Sequence, residues 1–149
     1  MRRIMKEHGL LAPHRPAPRV AHPHDGTIVT EWVDQVWGTD MTETFTAAEG
    51  RAYVFVAVDH CSGEFVGIHA ASGASRWEAL EPVKQGIAKH FGALDMAGVA
   101  TGLTLRHDHG SNYMSGDFQH EIRFLGVISS PAFVCQPEGN GMAERAIRT

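Results

Sequence analysis

A chain of 149 residues that is 43% hydrophobic suits one globular domain with a real core and leaves no room for several. Two cysteines, Cys61 and Cys135, exclude a disulfide framework, and the longest apolar run, Ala52 to Val58, excludes a transmembrane helix. The net charge of −4 hides an asymmetry: residues 1–24 carry five basic groups against one acid and the remainder carries 8 against 16, so the body cannot hold DNA by its own charge.

Residues 2–10 read as the end of a basic helix, with Ile4 and Met5 apolar and Gly9 as a stop. Ala12 to Pro18, followed by Pro23, makes an extended linker, because proline cannot extend a helix and constrains its predecessor. No long apolar stretch follows the N-terminal Met-Arg-Arg-Ile-Met-Lys, so it is no secretory signal, and a soluble cytoplasmic protein is expected. The expected division is a helix remnant with its Pro-rich linker over 1–24 and a globular body over 25–149.

Three strands are expected first, at Val36–Phe45, Ala52–Asp59 and Glu64–Ala70. The links Ala47 to Gly50 and His60 to Gly63 are short enough to force antiparallel pairing. Ser75 with Glu78 three residues on is a capping-box signature, and Trp77, Leu80, Val83, Ile87 and Phe91 then recur at helical spacing. Pro82 is expected to kink that helix or delay its start. A strand over Leu103–His107 ends at Asp108. Ser115 caps a short helix whose Phe118, Ile122 and Leu125 face inward and which Gly126 ends. A brief strand, Val127–Ser129, leads into a loop from Ser130 to Gly141, and a last helix begins near Asn140. Trp37 and Trp77 are read as core, Asp59 as shaping its turn, and Asp34, Asp95 and Asp117 as solvated or capping acids. The order is α/β: an antiparallel meander continued by helical crossovers that return strands parallel, giving a mixed five-stranded sheet with helices packed on it.

Asp40 stands in mid-strand, Asp108 closes a strand, and Glu144 sits on the final helix 35 residues after Asp108. A lone carboxylate on an apolar strand is costly to bury unless paired or metal-bound. Three converging anions repel one another and raise each other's pKa, and hard divalent ions relieve that repulsion through oxygen ligands. The chemistry implied is metal-assisted in-line attack at phosphorus. Each acid alone also fits a plainer role: Glu144 as an i, i+4 partner of Arg148, Asp108 as a turn former, Asp40 in a bent strand. His107 and His109 share a strand face opposite that of Asp108, which favours packing or DNA contact over a shared metal.

The residues around the acids decide between these. Trp37-Gly-Thr-Asp-Met-Thr42, Asp108-His-Gly-Ser-Asn-Tyr113 and Gly139-Asn-Gly-Met-Ala-Glu144 follow one another in order and at fixed spacing. Together they resemble the catalytic core of DDE insertion-sequence transposases of the retroviral-integrase type, over roughly residues 30–149. Val58-Asp-His-Cys-Ser62 is similar to that family's turn between its second and third strands. The resemblance implies an RNase H-like fold and a catalytic, metal-binding triad of Asp40, Asp108 and Glu144. It also implies two Mg²⁺ or Mn²⁺ ions with DNA bound, transposon-end and target DNA as partners, and a homo-oligomer of at least two subunits. The activity implied is strand cleavage followed by 3′-OH strand transfer.

The chain departs from the family at both ends. Only the tail of the family's DNA-binding helix-turn-helix region is expected here, as residues 2–11. The helix bearing Glu144 stops at Thr149, so the core is expected to be C-terminally incomplete. A truncated, non-catalytic remnant or DNA-binding accessory fragment is the alternative reading. Another RNase H-like nuclease, such as a junction resolvase, is a third. The loop over Pro131–Gly141 is expected to order over DNA.

Overall fold

The structure is a computed structural model, and it describes residues 30–48 and 50–132 together with Ala143 and Ile147. Its elements are β1 (Val36–Thr46), β2 (Gly50–Asp59), β3 (Phe65–Ala71), α1 (Arg76–His90), β4 (Thr104–His107), α2 (Gly116–Phe124) and β5 (Ile128–Pro131). The five strands form one sheet in the order β3-β2-β1-β4-β5. β1 pairs antiparallel with β2 and β2 with β3, whereas β1–β4 and β4–β5 are parallel. The expected mixed sheet is therefore present, with the parallel half returned by the two helices. The arm and linker expected before residue 25, and the loop expected after Ala132, lie outside the described residues. Among the described residues no helix is long and apolar enough to cross a membrane.

Alternation along the strands sets the layers. Trp37, Thr39 and Met41 share a face with their register partners Ala57, Phe55 and Leu105. The helices pack on that face, where Trp37, Phe55, Leu80, Ile87, Leu105 and Phe118 are fully buried. Val56 and Val58 belong to the other face and are buried too, which is why β2 reads as an almost unbroken apolar run. The β2–β3 turn is shaped by Asp59, as expected. Its carboxylate accepts from Ser62 N at 2.7 Å, from Ser62 Oγ at 2.8 Å and from Asp34 N at 3.0 Å.

Three expectations are corrected here. Trp77 is 52% exposed, with the Arg76 guanidinium over its ring. At 100° per residue it stands roughly 120° from Val83, the centre of the buried stripe, although its i, i+3 spacing to Leu80 looks helical. Asp34 is no solvated acid. It adopts the left-handed region (φ 61°), its Oδ1 accepts from Trp37 Nε1 at 3.1 Å, and its Oδ2 lies 3.1 Å from His90 Nδ1. Pro82 does not delay the start of α1, which begins at Arg76 behind its Ser75 cap and runs to His90. The proline is buried, and its backbone lies against Gly67 of β3.

A second glycine contact gives a stability prediction. A Cβ on Gly86 would lie 2.8 Å from two atoms of the Trp37 ring, and His90 and Phe91 each hold an edge against that ring. Gly86→Ala gains about 1 kcal/mol in helix propensity. It loses more by overpacking a ring that cannot retreat, which costs about 1–3 kcal/mol. Urea unfolding is expected to show a net loss of about 1 kcal/mol; a net gain would mean that Trp37 moves aside.

Candidate active site

The parallel register of β1 and β4 brings two of the three predicted acids together. Val36 pairs with Thr104, Trp37 with Leu105 and Gly38 with Arg106. Carried two residues on, past the last paired residues, that register brings Asp40 level with Asp108, with Asp40 on the face opposite the helices. Asp40 is half-buried in mid-strand, and its Oδ1 accepts from Met41 N at 2.8 Å. Asp108 is exposed, the first residue past the end of β4. Its Oδ1 accepts from Gly110 N at 2.7 Å, the distance at which a Cβ on Gly110 would meet it. A larger residue in this Asp-x-Gly turn would displace the carboxylate folded over it.

Tyr113 reports on both acids. Its phenol is pushed far up first by burial, and the Asp40 and Asp108 charges add to the shift, so both carboxylates lie within electrostatic reach of one oxygen. Thr39 opposes the shift, but its hydroxyl donates to Val56 O at 2.9 Å, and among the described residues the buried Tyr113 hydroxyl has no partner of good geometry. The phenol therefore stays protonated beside the two acids.

Glu144 lies outside the described residues. Ala143 before it is helical and fully buried, and Ile147, one turn on, is helical and partly buried. No group of three or more His, Cys, Asp and Glu side chains gathers among the described residues. The two histidines beside Asp108 separate. His107 is fully buried, in keeping with the packing expectation, and His109 is exposed beyond the strand, where alternation no longer places it.

Two positively charged or titratable groups near this face were not singled out by sequence reasoning. Arg106 shares the face of Asp40, its buried Nε has no hydrogen-bond partner among the described residues, and burial lowers its pKa. His60 is 8% exposed, and its imidazole is pushed below 6.5, first by burial and then by Arg106, with Asp59 pulling the other way. Their offset from Asp108 and Asp59 in the strand pattern was the available signal.

The His60 shift has a consequence for stability. The folded chain takes up a proton there less readily than the unfolded chain. The stability contributed by the neutral ring is complete above pH 6.5 and is lost as the pH falls below it toward the folded-state pKa. His60→Gln is expected to flatten the decline of unfolding free energy as the pH falls below 6.5, measured by urea titration at a series of pH values. An unchanged slope would reject the assignment.

With this geometry in view, comparison with known proteins decides the family. Residues 32–132 match the integrase core domain, which is more than half of the chain. The chain belongs to the integrase core domain family. The transposase InsD of insertion element IS2D from Escherichia coli strain K12 is 29% identical over 149 residues, covering 99% of this chain and 48% of that protein. The corresponding InsD protein of insertion element IS2E, from the same strain, is also 29% identical, with 67% of its length covered. The chain thus spans about half to two thirds of these relatives.

Solved integrase structures share the fold. A simian T-cell lymphotropic virus intasome superposes with a TM-score of 0.63 at 21% identity, over 92% of this chain and 44% of that one. The HTLV-2 integrase catalytic core domain in complex with magnesium gives 0.59 at 19% identity, over 77% and 65%. The mixed sheet is therefore the RNase H-like architecture of an integrase core.

Proposed function

We propose that this integrase core acts in DNA transposition, as the catalytic part of a DDE transposase that cleaves DNA and joins the 3′-OH ends to a target. Asp40, Asp108 and Glu144 are the catalytic and metal-holding residues in this reading. The observation that carries it is the parallel register of β1 and β4, which ends with Gly38 opposite Arg106 and, carried two residues on, brings Asp40 level with Asp108, both of which raise the pKa of the buried Tyr113. The transposase relatives support the reaction class, and the magnesium complex of the HTLV-2 core supports the metal.

The residues present fit a hard divalent cation. Asp40, in mid-β1, and Asp108, just past the end of β4, offer carboxylate oxygens, the donor type that Mg²⁺ and Mn²⁺ prefer. A bound ion supplies Lewis acidity toward phosphoryl oxygen and lowers the pKa of its water. The chain's own part is to fix these oxygens, through Met41 N on one acid and Gly110 N on the other. Tyr113, buried against His107 and Phe118, keeps its phenol protonated within electrostatic reach of both acids. The acidic body repels DNA, so the five basic groups of residues 1–24 and the bound ions supply the attraction. Joining two ends calls for at least a dimer, and the HTLV-2 core is known in dimeric and trimeric forms. In this reading the chain works where the DNA is, in the cytoplasm at the nucleoid.

The test is a labelled duplex carrying the terminal sequence of the chain's own insertion element, incubated with the purified chain and Mg²⁺ or Mn²⁺. Nicking that leaves a 3′-OH, and none in EDTA, is the expected result. Binding of the duplex without cleavage in either metal would favour the non-catalytic fragment.

A further inference from the structure

His107 is an imidazole with no exposure, adjacent in sequence to an exposed acid. Its Nδ1 lies 2.7 Å from the Asp108 carbonyl oxygen, and its Nε2 lies 2.9 Å from Ser129 Oγ on β5. A carbonyl oxygen can only accept, so Nδ1 carries the proton. Nε2 is then bare and accepts from the Ser129 hydroxyl. Gln119, on α2, holds its amide nitrogen 3.5 Å from that same Nε2 while donating to Tyr113 O at 2.8 Å, which agrees with the same tautomer. The ring stacks on Tyr113 at 5.6 Å and meets Phe118 in a T-shaped contact at 6.0 Å, and those two rings also touch each other. The His107 carbonyl is also engaged, by Ala132 N at 2.8 Å.

The Asp108 peptide is thus held from behind by a ring that is fixed at both nitrogens and packed against two aromatic rings. Its carboxylate stands in front, beyond the end of the strand. A metal-holding acid on a chain end needs such support, because groups behind the ligand set its direction and hence the affinity. We propose that His107 is a positioning residue for Asp108, acting through the Nδ1–H hydrogen bond to its carbonyl, with Ser129 enforcing the tautomer. This rests on the reading of Asp108 as a metal-holding residue.

Two measurements on the whole chain test it. Long-range ¹⁵N–¹H correlation of the imidazoles is expected to show His107 protonated at Nδ1 in the wild type; an Nε2–H tautomer overturns the proposal without any variant. Free Mn²⁺ is then followed by electron paramagnetic resonance during titration of His107→Asn and His107→Gln. Asparagine keeps a donor near the Nδ1 position, and glutamine places its amide near Nε2 instead. Both lose the ring stacking, so their thermal midpoints are expected to fall together. The Mn²⁺ affinity is expected to stay within about twofold for Asn and to drop by about tenfold or more for Gln. Equal loss in both variants would reduce His107 to packing and overturn the proposal. Asp108→Asn separates the two claims. If it leaves Mn²⁺ binding unchanged, or the wild type binds none, the reading of Asp108 falls and the proposal falls with it. If it weakens binding while His107→Gln does not, only the role of His107 falls.

Discussion

Asp40→Asn is expected to lower the rate of metal-dependent nicking by at least about 10³-fold while leaving the fold intact. The substituted side chain keeps an Oδ1 that can accept from Met41 N, so the local hydrogen bond at 2.8 Å survives. What is lost is one negative oxygen ligand at the site shared with Asp108. Metal stabilisation of a phosphoryl transition state is worth several kcal/mol. With each 1.36 kcal/mol a factor of ten, losing about 4 kcal/mol gives about 10³. Single-turnover cleavage of the labelled end duplex measures the rate, and urea unfolding is expected to change by less than about 1 kcal/mol, as for an isosteric change that spares its hydrogen bond. Activity within tenfold of the wild type would remove Asp40 from the chemistry.

The largest effect on stability is expected at Gly67. A Cβ there would lie 2.6 Å from the Pro82 carbonyl carbon and 2.8 Å from its Cα, with the carbonyl oxygen closer still. These are backbone atoms of a helix, so no rotamer change relieves the overlap. The same stretch of β3 is tied to α1 by Ile68 N donating to Gln85 Oε1 at 3.1 Å and by the His69–Glu78 pair. Gly67→Ala therefore forces the helix off the sheet, at a cost of about 3 kcal/mol or more. That is a large share of a small domain's margin of about 5–15 kcal/mol. Gly73→Ala is the control: a Cβ there meets nothing within 4 Å, and its unfolding midpoint is expected to stay put.

The fold was readable wherever local physics decides it. Short links at residues 47–49 and around Asp59 force hairpins, and Ser75 and Ser115 cap the two helices where the sequence places them. Phe118, Ile122 and Leu125 face inward as their spacing predicts. Contacts between distant segments were less legible. Trp77 shares an i, i+3 spacing with Leu80, and spacing alone does not say on which side of the buried stripe a residue falls. Asp34 looked like any surface acid because its partner His90 is 56 positions away. Nothing in the pattern around Pro82 announces that Gly67 lies beneath it. At the site, the acids were legible only through the words around them. Their meeting depends on the parallel pairing of β1 with β4, a consequence of topology, and the support behind Asp108 depends on β5 and α2.

The account stands on Asp40 and Asp108 sharing one metal site. Crystals of the chain soaked in Mn²⁺ and measured at an energy where manganese scatters anomalously test this directly. The expected result is an anomalous peak within bonding distance of both carboxylates, on the sheet face opposite the helices, with Glu144 turned toward it. A peak elsewhere, such as at the exposed His109, with neither Asp40 nor Asp108 engaged, would contradict it.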